Sequence, residues 1–143
     1  MENTLAERVI GAWTLVTFEQ ESKDGVISYP LGKEATGSLF YLPGGHVAVN
    51  IMLAGRDIFI DKALLLKEQL KYNELGYLAY SGFYHVDENL KLMTHELVVS
   101  FYPEWVGSRQ IRKIDLNNNC LQLSSDGPVG PEHSRFRLEW LRA

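Results

Sequence analysis

The first strand pattern of the chain is GAWTLVTFEQE, which runs from Gly11 to Glu21. Gly11 allows a tight bend where the chain enters the strand. Trp13 offers a large apolar body with one N–H group, which suits a position at the end of a barrel interior. Because a lone Gly-x-Trp pattern is weak evidence, the rest of the chain decides what it means.

Period-two patterns rich in Val, Ile, Tyr and Phe continue along the chain and are separated by short turn sequences. Turn-forming residues occur at 23–25, 43–45, 87–89 and 117–119. The patterns predict about nine strands, at 11–21, 26–29, 37–42, 46–53, 81–87, 91–101, 108–116, 120–124 and 134–141. The segment 61–73 differs, because Ala63, Leu66 and Leu70 follow a candidate Asp61 cap at helical spacing. It predicts one helix lying against the sheet.

This succession of hairpins favours an all-β fold, an antiparallel barrel of about eight strands, because closure removes exposed sheet edges. A barrel of that size is wide enough to hold one small ligand. A β-sandwich remains the alternative, since hairpin patterns alone do not distinguish closed sheets from stacked ones. The length of 143 residues predicts a single domain over 1–143.

The composition narrows the classes of partner and cofactor. The net charge of −4 comes with no basic run, which argues against binding to nucleic acid or to an anionic membrane. Residues 1–8 lack an apolar run and no segment is long enough to span a membrane, so we expect a cytoplasmic protein. Cys120 is the only cysteine and is interpreted as an apolar filler. No nucleotide, metal or nucleophile motif occurs, so we expect no cofactor and no metal.

Several stretches, in order along the chain, resemble the lipocalin-like domain family of bacteria and fungi. They are GAWTLVTFE at 11–19, YPLG at 29–32, GSLFY at 37–41, GYLAYSGFYHVD at 76–87, Thr94-His95 with Ser100, PEWVG at 103–107 and QIR at 110–112. The resemblance spans nearly the whole chain and implies a small barrel around a ligand cavity. It implies little about a reaction, because most members are uncharacterised. Some members belong to natural-product pathways, and related small barrels perform ring closures or isomerisations.

Strand alternation predicts which side chains reach such a cavity. It places His95 on one face with Val99 and Phe101, and it places Gln110 on one face with Arg112. We predict a catalytic set and a ligand-binding set, namely His95, Arg112 and Tyr84 for the first, and Tyr41, Asn50, Val99, Phe101, Trp105 and Gln110 for the second. A buried guanidinium needs an acceptor, which a ligand oxygen can provide as readily as the protein can.

Each candidate also has a structural interpretation. His95 is equally a satisfied core histidine, and Arg112 a strut bonded to carbonyls or to an internal carboxylate such as Glu96. The tyrosines fit ordinary barrel wall. Trp13 is predicted to plug one barrel end, with Arg135 or Arg137 from the last strand packed across it.

Two functions fit this set of residues. The first is a cofactor-independent cyclase or isomerase, such as a pericyclase, of secondary metabolism, acting on a hydrophobic natural-product intermediate. Confinement in an aromatic cavity lowers a barrier without a nucleophile, and a few polar groups polarise a carbonyl. The alternative is a carrier or binding protein for a small apolar ligand, which needs the same cavity and no matched acid and base. Of the two functions, the enzyme is the favoured interpretation. The residues are also compatible with a homodimer.

Overall fold

The computed structural model describes residues 3–54, 76–125, 127 and 133–143, so the helix predicted at 61–73 lies outside the described residues. The elements are helix α1 (Leu5–Arg8), strands β1 (Gly11–Glu21), β2 (Ile27–Ser28), β3 (Thr36–Tyr41), β4 (His46–Met52), β5 (Tyr77–Asp87), β6 (Leu92–Ser100), β7 (Arg109–Asn117), β8 (Cys120–Ser125) and β9 (Arg135–Arg142), and a 3-10 turn (Pro103–Trp105) between β6 and β7. Within these ranges, no helix is long and apolar enough to cross a membrane.

The strands form one closed antiparallel barrel. Neighbouring strands pair in the order in which they follow one another, except that β1 pairs with β3 and also with β9. The β1–β9 pairing closes the sheet, so eight of the nine strands among the described residues form the barrel, and within that set β2 pairs only with the end of β1. The predicted barrel is thus confirmed over the β-sandwich alternative.

The two ends of the barrel differ, and we name them by what lies there. At the closed end β1 begins and β9 finishes, and the interior is filled by buried side chains, among them Trp13, Trp140 and Tyr41. At the cavity end β6 finishes and β7 begins, with the 3-10 turn between them. The antiparallel pairing therefore places opposite termini of neighbouring strands at the same end.

Trp13 plugs the closed end, as its position in the first strand predicts. It is 1% exposed, and its indole N–H donates to the carbonyl of Val9 at 2.8 Å. Helix α1 precedes it, and the carboxylate of Glu88 accepts the backbone N–H groups of Leu5 and Ala6 at 2.8 and 3.1 Å. These bonds satisfy donors that a helix start leaves without an internal partner.

The arginine across Trp13 is Arg142, so the expectation of Arg135 or Arg137 is wrong. The Arg142 guanidinium lies 4.3 Å from the Trp13 ring centre, a cation–π contact. Because β9 runs antiparallel to β1, only its last residues reach the start of β1. Arg137 instead forms an ion pair with Glu19, at 2.7 Å, nearer the other end.

A β-bulge changes the faces of β6. Ser81 pairs with Val99 while Gly82 pairs with Leu97, so Val98 has no partner on β5. The extra residue moves the following side chains to the other face. Val99 is consequently 63% exposed and Phe101 39%, and the predicted common face of these two residues with His95 is wrong. Gly82 permits this bulge, because a β-carbon there would collide with the carbonyl oxygen of Glu96.

Candidate functional site

A cavity of about 480 Å³ occupies the barrel interior toward the cavity end. Its walls are mainly apolar and come from strands all around the barrel. The lining residues are Phe18, Leu39, Val49, Ile51, Leu78, Tyr80, His95, Trp105, Arg109, Gln110, Ile111, Arg112, Leu123, Phe136, Leu138 and Trp140. Its volume lies within the range of about 300 to 1,000 Å³ typical of small-molecule sites.

His95 is the buried centre of the polar groups and is held by two phenols. Its Nε2 lies 2.7 Å from the hydroxyl oxygen of Tyr41, and its Nδ1 lies 2.6 Å from that of Tyr80. Burial, with a smaller contribution from the nearby charge of Arg112, lowers the pKa of His95 to about 3. The imidazole is therefore neutral at physiological pH, and both of its nitrogens are engaged.

The two phenols are also neutral. Burial raises the pKa of Tyr41 and of Tyr80 well above the usual value, and the charge of Arg112 offsets only part of that effect. Tyr41 is fully buried beneath the cavity, whereas Tyr80 forms part of its wall. The three side chains thus form a neutral hydrogen-bonded chain, which we call the Tyr41–His95–Tyr80 chain, with one end at the cavity.

Arg112 extends from β7 into the same cavity. Its Nη2 donates to the side-chain oxygen of Gln110 at 3.2 Å, and its Nη1 donates to the carbonyl of Ile111 at 3.1 Å. Burial lowers the pKa of Arg112, but a guanidinium stays charged in proteins. In the described part of the chain it has no carboxylate partner, because Glu96 forms an ion pair with Arg109 instead, at 2.9 Å. A positive charge with only neutral acceptors therefore faces the cavity.

The structure brings together His95, Arg112, Gln110 and Trp105, all of which line the cavity. Tyr41 is not in the lining and reaches the cavity only through His95. Alternation along β7 explains the shared face of Gln110 and Arg112, since their neighbours Arg109, Ile111 and Lys113 are exposed.

Four other predicted site residues lie away from the cavity. Asn50 is exposed on β4 because its neighbours Val49 and Ile51 point inward. Val99 and Phe101 follow the bulge and lie outside. Tyr84 does share the inward face of β5, but it lies toward the closed end, where its hydroxyl donates to the carbonyl of Leu42 at 2.9 Å.

Tyr80 is one polar residue of the cavity lining that the sequence analysis missed, and Arg109, in an ion pair with Glu96, is another. The predicted strand began at residue 81, whereas β5 begins at Tyr77. The signal was present, because Tyr80 and Leu78 stand two and four residues before Gly82, on the same side of a strand as Tyr84. Extending the alternation backward would have placed Tyr80 in the barrel.

The site offers no cluster of metal ligands. Across the described ranges, no group of three or more His, Cys, Asp or Glu side chains is placed to hold a metal ion. What the arrangement offers instead is a set of hydrogen-bonding groups in an apolar cavity, with the ion-paired guanidinium of Arg109 and the guanidinium of Arg112 in its lining. Such a set orients a ligand that carries an oxygen atom.

A curated protein, a solved structure and a family model are similar to parts or most of this chain. The 4'-hydroxy-3'-methoxypropiophenone carrier protein ppsC of Aspergillus oryzae is 33% identical over 82 residues, which cover 51% of this chain and 73% of that protein. A solved structure of an uncharacterised protein from Bacteroides eggerthii is 13% identical with a TM-score of 0.45, covering 92% of this chain and 98% of that one. The lipocalin-like domain model matches residues 10–143. This chain therefore belongs to the lipocalin-like domain family.

Proposed function

We propose that this protein binds a small, largely apolar molecule with at least one oxygen atom in its barrel cavity, and that it acts as a carrier. The observation that supports a carrier most directly is the neutral Tyr41–His95–Tyr80 chain. Arg112 supplies the charge-assisted contact to the ligand oxygen. Tyr80 holds the ligand by hydrogen bonding, His95 bonds to Tyr80 behind it, and Gln110 and Trp105 contribute to the wall.

The protonation states favour binding over acid–base catalysis. A general acid or base is most effective when its pKa lies near the working pH. The pKa of His95 is about 3, and burial raises the pKa of Tyr80 far above neutrality. Neither group exchanges a proton readily at pH 7. They are suited to fixed hydrogen bonds, which give a carrier its selectivity.

The relative from Aspergillus oryzae suggests the class of ligand. Its name describes a carrier of 4'-hydroxy-3'-methoxypropiophenone. This compound is an aryl ketone whose ring carries a phenolic hydroxyl group. An aromatic ring suits the Phe18, Phe136 and Trp140 part of the lining, and a polar substituent suits Arg112. We propose an aryl ketone or a similar oxygenated aromatic as the ligand here.

Calorimetric titration with 4'-hydroxy-3'-methoxypropiophenone tests this proposal. We expect saturable binding, about 10- to 100-fold weaker in Arg112→Met, because hydrogen bonds to charged groups contribute about 1.5 to 3 kcal/mol. Arg137→Met is the matched control, since its ion pair with Glu19 lies outside the cavity lining. It should bind as the wild type does, and mass spectrometry should recover the ligand unchanged. Failure to bind this ketone and a panel of aryl ketones would overturn the proposal.

A second candidate is the cofactor-independent cyclase or isomerase. One observation favours it, namely that the Arg112 guanidinium has no carboxylate partner among the described residues and faces the cavity. Such a charge stabilises an oxygen that becomes negative in a transition state. If the wild type converts a pathway intermediate faster than the spontaneous rate, and Arg112→Met lowers turnover more than affinity, the enzyme replaces the carrier.

A further inference from the structure

We infer that Tyr41 fixes the proton of His95 on Nδ1, and that Tyr80 consequently donates its hydroxyl proton into the cavity. The cavity would then select a ligand that presents an acceptor oxygen, such as a ketone, enolate or carboxylate oxygen, to Tyr80. This inference rests on the proposed binding function and names the chemical class of group that the site recognises.

The neutral imidazole of His95 carries one ring proton. A neutral imidazole has one N–H donor and one acceptor nitrogen. Each nitrogen of His95 lies within 2.7 Å of a phenol oxygen, of Tyr41 on one side and Tyr80 on the other. One phenol must therefore donate to the ring, and the other must accept from it.

The burial of Tyr41 determines which of the two phenols donates to the ring. Tyr41 is 0% exposed, and in the described part of the chain its hydroxyl has no hydrogen-bond partner other than Nε2 of His95. If Nε2 carried the proton, the Tyr41 hydroxyl proton would be buried without an acceptor, which is unfavourable. Tyr41 therefore donates to Nε2, and the ring proton lies on Nδ1.

The proton on Nδ1 determines the direction of the hydrogen bond between His95 and Tyr80. Nδ1–H donates to the Tyr80 oxygen, so the Tyr80 proton points away from the ring, and Tyr80 lines the cavity. Arg112 also presents only donors, and the side-chain oxygen of Gln110 already accepts from it. The polar groups that face a ligand are thus donors, and the matching ligand atom is an acceptor without a proton.

The proton assignment is measurable without a ligand. We expect long-range ¹H–¹⁵N correlation spectra of histidine-labelled protein at pH 7 to show His95 with Nδ1 protonated and Nε2 unprotonated. Tyr41→Phe removes the donor and should shift the population toward the Nε2–H form. A protonated Nε2 in the wild type would overturn the inference. The wild-type spectrum decides even if Tyr41→Phe does not fold.

The ligand selection is tested with three compounds of similar shape: propiophenone, propylbenzene and 1-phenylpropan-1-amine, which is a cation at pH 7. We expect the ketone to bind at least about 3- to 10-fold more tightly than the hydrocarbon, as the hydrogen bond from Tyr80 alone implies. The ammonium should bind most weakly, because it brings only donors to donors. Tyr80→Phe should reduce the ketone's advantage over propylbenzene by about 3- to 10-fold, because the hydrogen bond from Tyr80 is lost while the contact from Arg112 remains.

Tyr29→Phe is the control for Tyr80→Phe, since the Tyr29 ring lies outside the cavity lining and under the ammonium of Lys33, 5.5 Å away. It should keep the wild-type order of affinities. An ammonium that binds as tightly as the ketone, or a Tyr80→Phe variant that keeps the ketone's advantage, would overturn the selection. If none of the three compounds binds, both the ligand selection and the proposed binding function fail. The spectrum still shows which nitrogen of His95 carries the proton.

Discussion

Two arginines, one at each end of the barrel, occupy opposite chemical situations. At the closed end, Arg142 donates to the carbonyls of Ile10 and Arg8, at 3.0 and 2.7 Å, and to the side chain of Asn119 at 3.3 Å. In the cavity, Arg112 donates to one amide oxygen and to the carbonyl of the residue before it. The first guanidinium is satisfied by the chain that it holds together, whereas the second has few acceptors among the described residues and lines the cavity.

The difference shows how to separate a structural arginine from a binding one. Both lie among aromatic side chains near the end of the same barrel, so residue type and position do not distinguish them. The number and kind of acceptors that the protein itself provides do distinguish them. Stability should therefore depend on the closed end, and ligand affinity on the cavity end.

The largest effect expected from this comparison is the loss of the closed-end plug. Trp13→Ala should lower the free energy of unfolding by about 3 to 5 kcal/mol, as truncation of a buried aromatic does. Trp105→Ala, at the half-buried 3-10 turn of the cavity end, should cost less than about 1.5 kcal/mol. Urea denaturation followed by circular dichroism measures both. Equal losses would remove the distinction between the two ends.

The bulge on β6 lies toward the cavity end, and Gly82 on β5 is paired beside it. In Gly82→Ala, the new β-carbon would meet the carbonyl oxygen of Glu96, so the backbone must shift, at a cost of about 3 kcal/mol. Ser81→Ala, one residue earlier on β5, should change stability by less than about 1 kcal/mol. The same denaturation experiment applies. A Gly82→Ala variant as stable as the wild type would show that the bulge tolerates a side chain.

A smaller effect is expected from acid. The pKa of His95 is about 3 in the folded protein against 6.5 for the ordinary group, so below pH 6.5 the unfolded chain binds a proton that the folded one does not. Stability is then lost as pH falls from 6.5 toward 3, by up to about 1.4 kcal/mol per pH unit.

His95→Gln provides the control for acid, because an amide has a donor and an acceptor and does not titrate. Between pH 6.5 and pH 5, the wild type should lose about 2 kcal/mol more than this variant. Urea denaturation at both pH values gives the difference. Parallel losses would show that His95 is not held neutral by burial.

The smallest stability changes are expected from replacing each of the two arginines. Arg142→Met removes the cation–π contact and three hydrogen bonds and should lower stability by about 1 to 2 kcal/mol. Arg112→Met should leave stability unchanged or raise it, because a desolvated charge with few partners costs free energy in the folded state. Thermal denaturation of the two variants measures this. A loss of stability in Arg112→Met would mark it as a structural strut.

The sequence predicted the barrel well because the relevant signals are local. Turn residues such as those at 43–45 and 117–119 delimit the strands, and closure follows from the lack of other ways to cover the edges. The position of Trp13 at one end follows from the same pattern. The shared face of Gln110 and Arg112 needed only regular alternation along β7.

The candidate site was less predictable because it depends on irregular and long-range features. The unpaired Val98 reverses the faces of Val99 and Phe101, and no local composition marks it in advance. The pairing of Glu96 with Arg109 follows the outward face of β6, opposite to His95, and strand parity could have excluded Glu96 as a partner for Arg112. The antiparallel direction of β9 likewise could have indicated Arg142.

The β1–β9 pairing has a consequence for how the chain folds. Every other pairing in the barrel joins strands that are close in sequence, whereas this one brings Trp13 beside Arg142. Closing so long a loop costs chain entropy before any contact compensates for it. We therefore expect the local hairpins to form early, and the seam between the first and last strands to be the slow step that sets the folding rate.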